Sequence, residues 1–326
     1  MLSIVIPVLN EAESLDQLHE ELATVARANQ YALQIIFIDD GSTDRSWSKI
    51  RALAESDPRV KGIRFRRNFG KAAALSAGFA AARGKYVLTL DADLQDDPAE
   101  IPHFLAKLEP DLDVVSGWKQ VRHDPWHKVL PSRIFNWMVS TLTGVKLHDH
   151  NCGMKCYRRD VVREITLYGE FHRFIPVLAA ARGFRVGEIV IQHRARRFGK
   201  SKYGVERLIK GFLDLLTVKF ITGFGYRPLH LMGSIGLGAF LLGVFGMTYL
   251  AAYWQVSRMG WGIEPIHLHE TAALYYSLGL MLLGGQFMSA GFLGELITAH
   301  QGHEGDIYSV AETTSDTKQS DDFFDE

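Results

Sequence analysis

The stretch LQIIFIDDGSTD, residues 33–44, decides the fold. Five of its first six residues are apolar, unbroken over Ile35–Ile38 and rich in β-branched and aromatic side chains, as in a strand covered on both faces. The run ends in two acids, Asp39 and Asp40, and a Gly turn, after which Thr43 stands as the N-cap of a helix reaching Ser56.

The same order repeats outward from this unit. SIVIPVL (3–9), KGIRFR (61–66), KYVLTLD (85–91), DVVSG (113–117) and GEIVIQH (187–193) read as strands, and residues 11–29 and 70–83 as further helices. The alternation predicts an α/β domain with a mainly parallel sheet and helices on both faces. Such sheets bind ligands beyond the C-terminal ends of their strands. The rule selects four junctions: PVLNEAES, DDGSTD, RRNFGK and DADLQDD.

The chain has 326 residues, a formal net charge of −1 and two cysteines, Cys152 and Cys156. Near-neutrality gives no basic field for nucleic acid. Two cysteines make no disulfide framework, and their spacing without matching ligands makes no zinc site. The N-terminus does not read as a signal peptide.

The first junction lacks Gly-x-Gly-x-x-Gly, which argues against a dinucleotide-binding dehydrogenase. Asp40 reads either as a turn former or as an acceptor for a base or ribose. Asn68, Gly70 and Lys71 open a helix, where amides and an ammonium suit phosphate oxygens, although a solvated Lys fits as well. Asp91 and Asp93, two apart on an extended end, can jointly hold a hard cation such as Mg²⁺ or Mn²⁺. Asp97, Pro98 and Glu100 read instead as a helix start, with Glu100 reaching back to the cap. Asp96 is left without a task.

The C-terminal third changes character. Residues 229–254 carry no charge, and residues 271–299 carry only Gln286 and Glu295 as strongly polar groups. Both exceed the ~20 residues that cross a bilayer. Nine Lys or Arg lie between Arg194 and Arg227, against Arg258 alone in the connector 255–270. That bias puts residues 1–203 in the cytoplasm, the connector outside and an acidic, disordered tail (300–326) back inside, for an inner-membrane protein. Between lies a helical stripe, Val205, Leu208, Ile209, Phe212, Leu213, Leu216 and Phe220, suited to an interfacial helix over residues 204–227 or to a core helix. RIFNWMVSTLTGV (133–145) suits a second. Small residues at Ala239/Gly243 and Ala290/Gly294 leave room for a homo-oligomer.

Taken in order, SIVIPVLNEAESL, FIDDGSTD, RNFGKAAALSAGF, LDADLQDDP, HDHNCGMKCYRRDV and RRFGKSKYG resemble glycosyltransferase family 2. More narrowly they resemble its polyisoprenyl-phosphate glycosyltransferases, the group of dolichol-phosphate mannose synthase and the bacterial undecaprenyl-phosphate sugar transferases. The resemblance covers residues 1–225, and the two trailing spans match the bacterial branch. It implies a GT-A fold and a UDP- or GDP-linked sugar donor. By motif position, Pro7, Asn10, Glu11, Asp39, Asp40, Lys71, Asp91 and Ala92 would line the nucleotide-sugar pocket. Asp91, Asp93 and Gln95 would hold Mg²⁺ or Mn²⁺ on the donor diphosphate. Arg122, Arg133, Arg196 and Lys202 would meet the phosphate of an undecaprenyl or dolichyl lipid. Asp149 matches the acid assigned as catalytic base, yet a phosphate monoester with a second pKa near ~6 hardly needs deprotonating, so base and positioning roles both stand. His148 and His150 read as exposed loop residues.

The resemblance implies inverting transfer of a single sugar. A processive polysaccharide synthase would carry Gln-x-x-Arg-Trp, where this chain reads QHRARRF from Gln192. A non-catalytic scaffold would not need the acidic and basic motifs intact.

Overall fold

The computed structural model describes residues 1–109, 111–120, 126–167, 169–192, 194, 206–224, 228–259 and 267–301. Its elements in chain order are β1 (Leu2–Val8), α1 (Leu15–Ala28), β2 (Leu33–Asp39), α2 (Ser46–Ser56), β3 (Val60–Arg64), α3 (Lys71–Ala81), β4 (Tyr86–Thr89), α4 (Ile101–Leu108), β5 (Val114–Trp118), α5 (Trp126–Thr143), β6 (Lys155–Arg158), α6 (Arg159–Glu164), α7 (Ile175–Ala181), β7 (Val186–Val190), α8 (Glu206–Phe224), α9 (Pro228–Ser257) and α10 (Ala272–Gln301). Among the described residues they divide into two compact units, 1–219 and 220–301.

In the first unit seven strands form one sheet in the order β3-β2-β1-β4-β6-β5-β7. Strands β1 to β4 pair parallel, as do β5 and β7, and only β6 runs antiparallel to both neighbours. The six expected strands are present. β6 was not foreseen, because its four residues, KCYR, carry two cations. β2 is buried along nearly its whole length, which explains its mostly apolar sequence. α3 lies so close to the sheet that a Cβ on Gly78 would stand 2.2 Å from Val5 Cγ1.

Two pairings shape the open end of the sheet. β1 pairs with β4 only as far as Val5↔Thr89, yet with β2 as far as Val8↔Asp39. Past Val5, β1 therefore loses one neighbour and a crevice opens at the switch point. The missing N–H of Pro7 breaks no ladder there. Meanwhile Thr89↔Lys155 pairs the end of β4 with the start of β6, which brings the HDHNCGMK segment alongside DADLQDD.

Expected helix starts shift inward. α2 begins at Ser46 without a side-chain cap, and Asn10 Oδ1 accepts the N–H groups of Thr43 and Asp44 instead (2.8 and 3.4 Å). Asp97 does cap, accepting from Ala99 N at 2.9 Å. Glu100 does not reach back: its carboxylate meets His103 Nδ1 (2.8 Å) and Gln192 N (3.4 Å).

In α8, Leu215 and Val218 are fully buried while Phe212, Leu213 and Leu216 are exposed. In α5, Phe135 and Val139 turn inward and Ile134 and Trp137 outward. Each helix thus keeps an apolar face toward solvent. Val205 and the tail 302–326 lie outside the described residues.

The second unit is a hairpin of α9 and α10, two helices long and apolar enough to cross a membrane. Small residues let their backbones approach. A Cβ on Gly236 would stand 2.7 Å from the Gly284 carbonyl, and one on Gly243 2.6 Å from that of Ser277. Gly294 abuts Pro228. Gly243 and Gly294, expected at an oligomer contact, therefore serve the hairpin. Glu295 accepts from Leu229 N (3.3 Å), placing a carboxylate at the positive end of α9.

Candidate active site

The first two junctions are knitted together. Asn10 adopts φ 58°, and its N–H donates to Ser42 Oγ (3.0 Å) while Glu11 N donates to Ser46 Oγ (2.9 Å). Asn10 thereby acts as a clasp between loops. Asp39, fully buried, accepts from Ser42 N (2.9 Å) and lies 3.2 Å from Arg64 Nε. Asp40 accepts the N–H groups of Phe69 (2.7 Å) and Gly70 (3.0 Å). Its carboxylate thus holds the third junction against the second. Gly41 at φ +75° permits this approach, since a Cβ there would lie 2.5 Å from the Arg67 carbonyl carbon.

Lys71, the first residue of α3, reaches across the crevice to Asp91 Oδ1 at 2.5 Å. Burial alone would raise the Asp91 carboxyl, but the Lys71 ammonium outweighs it and holds the group at about 2. Ala92 and Asp93 are buried, and Asp93 Oδ1 accepts from Gln95 N (3.2 Å). Between them Leu94 takes φ +60°, a left-handed conformation costing a non-Gly residue about 1–3 kcal/mol. The turn keeps Asp91, Asp93 and Gln95 at the mouth of β4. Among the described residues no three His, Cys, Asp or Glu side chains cluster as a ready metal cage. Two carboxylates and a neighbouring amide are instead the partial oxygen shell of a cation that shares substrate oxygens.

Asp96, the acid left without a task, is buried and pairs with Lys119 Nζ at 2.6 Å. Burial disfavours the ammonium, yet the Asp96 charge prevails and raises its pKa. The pair ties DADLQDD to the end of β5. Sequence reading missed Lys119, since nothing local links positions 96 and 119.

Asp149 is buried, with Asn151 N donating to its Oδ1 (3.1 Å). α5 clamps its loop: Asn136 Nδ2 donates to the His148 carbonyl (2.9 Å), and Ser140 Oγ donates to the Leu147 carbonyl (3.1 Å). Of the two histidines expected to be exposed, His148 is exposed and His150 is not. His148 stacks on Trp118 at 4.0 Å and pairs with Glu188, while His150 is fully buried, 3.1 Å from Ser140 Oγ. The acceptor-side cations divide: Arg133 is exposed on α5, and Arg122, Arg196 and Lys202 lie outside the described residues. Both cysteines are buried and free, their thiols pushed up to about 12 by burial.

Burial, helped by the Lys155 charge, lowers the His150 pKa to about 4. The unfolded chain, with an ordinary histidine near ~6.5, binds that proton first. Stability is therefore complete above pH 6.5 and falls through the window down to pH 4, by up to about 1.4 kcal/mol per pH unit. His150→Asn should flatten part of that slope in melting temperatures recorded from pH 7.5 to 4.5. An unchanged slope would remove His150 as its source.

Residues 3–166 match the family described as glycosyl transferase family 2. A dodecaprenyl-phosphate galacturonate synthase of Rhizobium johnstonii is 35% identical, over 98% of this chain and 94% of its own length. An undecaprenyl-phosphate 4-deoxy-4-formamido-L-arabinose transferase of Shewanella sediminis is 36% identical, over 94% of this chain and 88% of its own. Among solved structures, glucosyl-3-phosphoglycerate synthase from Mycobacterium tuberculosis in complex with Mn²⁺, UDP and phosphoglyceric acid aligns over 68% of this chain and 78% of its own, with TM-score 0.53 at 18% identity. That likeness establishes the GT-A-like fold alone.

Proposed function

Because the chain belongs to glycosyl transferase family 2, we propose that it moves one sugar from a nucleoside diphosphate donor to the phosphate of a polyprenyl lipid at a membrane surface. One observation carries the reading. The crevice at β4 gathers Asp91, Asp93 and Lys71 for a diphosphate, and β6 sets the Asp149 loop beside them. The acceptor class is supported by relatives named for dodecaprenyl- and undecaprenyl-phosphate, similar along almost the whole chain, including both apolar helices.

Asp91 and Asp93, with Gln95, would hold Mg²⁺ or Mn²⁺, which supplies charge neutralisation to the departing diphosphate. Lys71 neutralises Asp91 in the donor-free protein and can turn its ammonium to a phosphate oxygen when a donor arrives. Attack by a lipid phosphate oxygen forms the new bond to the anomeric carbon as the bond to the diphosphate breaks, with inversion. The acceptor is mostly dianionic at pH 7, so Asp149 serves best by orienting it or by steadying positive charge on the sugar. Asn10 and Asp40 also build the nucleotide-side loops, through the N–H groups their side chains accept. The outward faces of α5 and α8 suit the bilayer interface, α9 and α10 suit the anchor, and the basic residues before α9 favour a cytoplasmic site.

The test is transfer by the purified full chain in detergent, with undecaprenyl phosphate, Mn²⁺ or Mg²⁺ and a panel of UDP- and GDP-sugars. The expected product is lipid phosphate carrying one sugar. A polymer, or no product from any donor, would overturn the proposal.

A further inference from the structure

A phosphate carried on a long hydrocarbon needs a cation set between the crevice and an apolar surface. Lys71 is already engaged by Asp91. Arg173, at the end of the short turn Phe171–Arg173 before α7, stands at such a place. It lines a recess of the crevice together with Lys71 and with Asn151, whose N–H holds Asp149. It also meets α8 and α5: a Cβ built on Gly211 would lie 3.6 Å from Arg173 Nη1 and 3.1 Å from Phe135 Cε2. These are the two helices that keep Ile134, Trp137, Phe212, Leu213 and Leu216 turned to solvent.

One partner of Arg173 is loosely held. Arg173 Nη2 donates to Glu170 Oε2 at 3.2 Å, three residues back on the same turn. The Glu170 side chain is 46% exposed, against 12% for that of Arg173. An ion pair with one arm in water contributes little to stability, so another anion can replace that arm at small cost. A second acid faces Arg173 from α8. Burial raises the pKa of this Asp214 despite the Arg173 charge, and Glu170 adds to the rise. Arg173 is thus set between an acid anchored on a helix and one that water can draw away. A planar guanidinium can keep an acid at one edge and offer the other edge to two phosphate oxygens.

We propose that Glu170 is a placeholder: the acceptor phosphate displaces its carboxylate and takes the Arg173 fork, with the lipid chain leaving over the outward faces of α8 and α5. The exchange occurs at a half-exposed carboxylate and needs no enclosed cavity. The assignment rests on the transferase reading above and adds to it the residue that receives the acceptor. No local signal marked Arg173, because its place beside α8 comes from packing across some forty residues of chain.

The experiment measures dissociation constants of undecaprenyl phosphate, undecaprenol and Mn²⁺–UDP for the purified full chain in detergent. Wild type should hold the phosphate at least about tenfold tighter than the alcohol. Arg173→Lys keeps the charge and loses the fork. It should weaken undecaprenyl phosphate about tenfold or more and leave undecaprenol and Mn²⁺–UDP within about twofold. Glu170→Gln should act in the opposite direction, tightening undecaprenyl phosphate about threefold, because the competing carboxylate is gone. That arm reads the exchange even where an Arg173 variant fails to fold. A purely structural ion pair would weaken all three ligands together, or none, in both variants. Either pattern would overturn the assignment, and so would weaker or unchanged phosphate binding in Glu170→Gln. Transfer in the donor panel combined with such a result overturns this assignment alone. No transfer from any donor overturns the transferase reading, and this assignment with it.

Discussion

Replacing Asp91 and Asp93 together by Asn lowers sugar transfer about a thousandfold or more, while the protein still folds. A cation at a leaving diphosphate contributes several kcal/mol to the transition state, and each 1.36 kcal/mol is tenfold in rate. Asn keeps the volume and one acceptor oxygen, so the Gln95 N–H keeps its partner at position 93. What disappears is charge. In the wild type the Asp91 carboxyl is held at about 2, against burial, by Lys71. Its folded pKa lies below the unfolded value near ~3.9, so its contribution to stability is whole above pH 4 and is lost only as pH falls toward 2. At pH 7 the double variant therefore loses that contribution, a modest one because the pair is one-third exposed. Melting temperature should shift by a few degrees, whereas turnover collapses and excess Mn²⁺ fails to restore it. Chelation with EDTA should reduce the wild type to a comparable rate. Turnover by the double variant within about tenfold of wild type would end the cation assignment.

The sequence made the sheet legible for a physical reason. β1, β2 and β4 are buried on both faces, and runs that are mostly apolar satisfy that demand. The polar junctions were legible too, because acids, glycines and a lysine directly after such runs must lie at strand ends. What each acid does was not legible. Asp40 and Asn10 looked like ligand groups, and the fold also gives their oxygens backbone N–H groups of neighbouring loops to hold. Asp96 looked idle, yet its partner Lys119 comes from the far side of β5. β6 stayed hidden because Lys155 and Arg158 flank two ordinary residues, and its strand character comes from ladders on both sides. Nothing local marks Lys155 as buried; the antiparallel pairing with Thr89 carries it inside. Non-local pairing thus decides which polar residues are buried, and buried polar residues are where function concentrates.

Gly153→Ala, a single added methyl group, should cost about a hundredfold in transfer and raise the Mn²⁺ concentration needed for half-maximal rate. The residue stands just ahead of β6, whose first residue pairs with Thr89, and Thr89 Oγ1 donates to the Gly153 carbonyl at 2.8 Å. That bond fixes the backbone on both sides of the gap. A Cβ built on Gly153 lies 2.4 Å from Asp91 Oδ2 and 2.7 Å from its Cγ, nearer than any real Cβ contact. Because the ladder pins the backbone, the carboxylate must give way, by about 1 Å, and a misplacement of that size can cost a hundredfold. The Lys71 partnership moves with it. A purely structural defect would lower the melting temperature and leave the metal dependence of the remaining activity unchanged. Displacement of Asp91 predicts the opposite pattern, a nearly normal melt with a right-shifted Mn²⁺ curve. Titrating Mn²⁺ at saturating donor separates the two. Transfer within about threefold of wild type at an unshifted half-maximal Mn²⁺ would mean that Asp91 need not stand where Gly153 holds it, and that the cation is organised chiefly by Asp93.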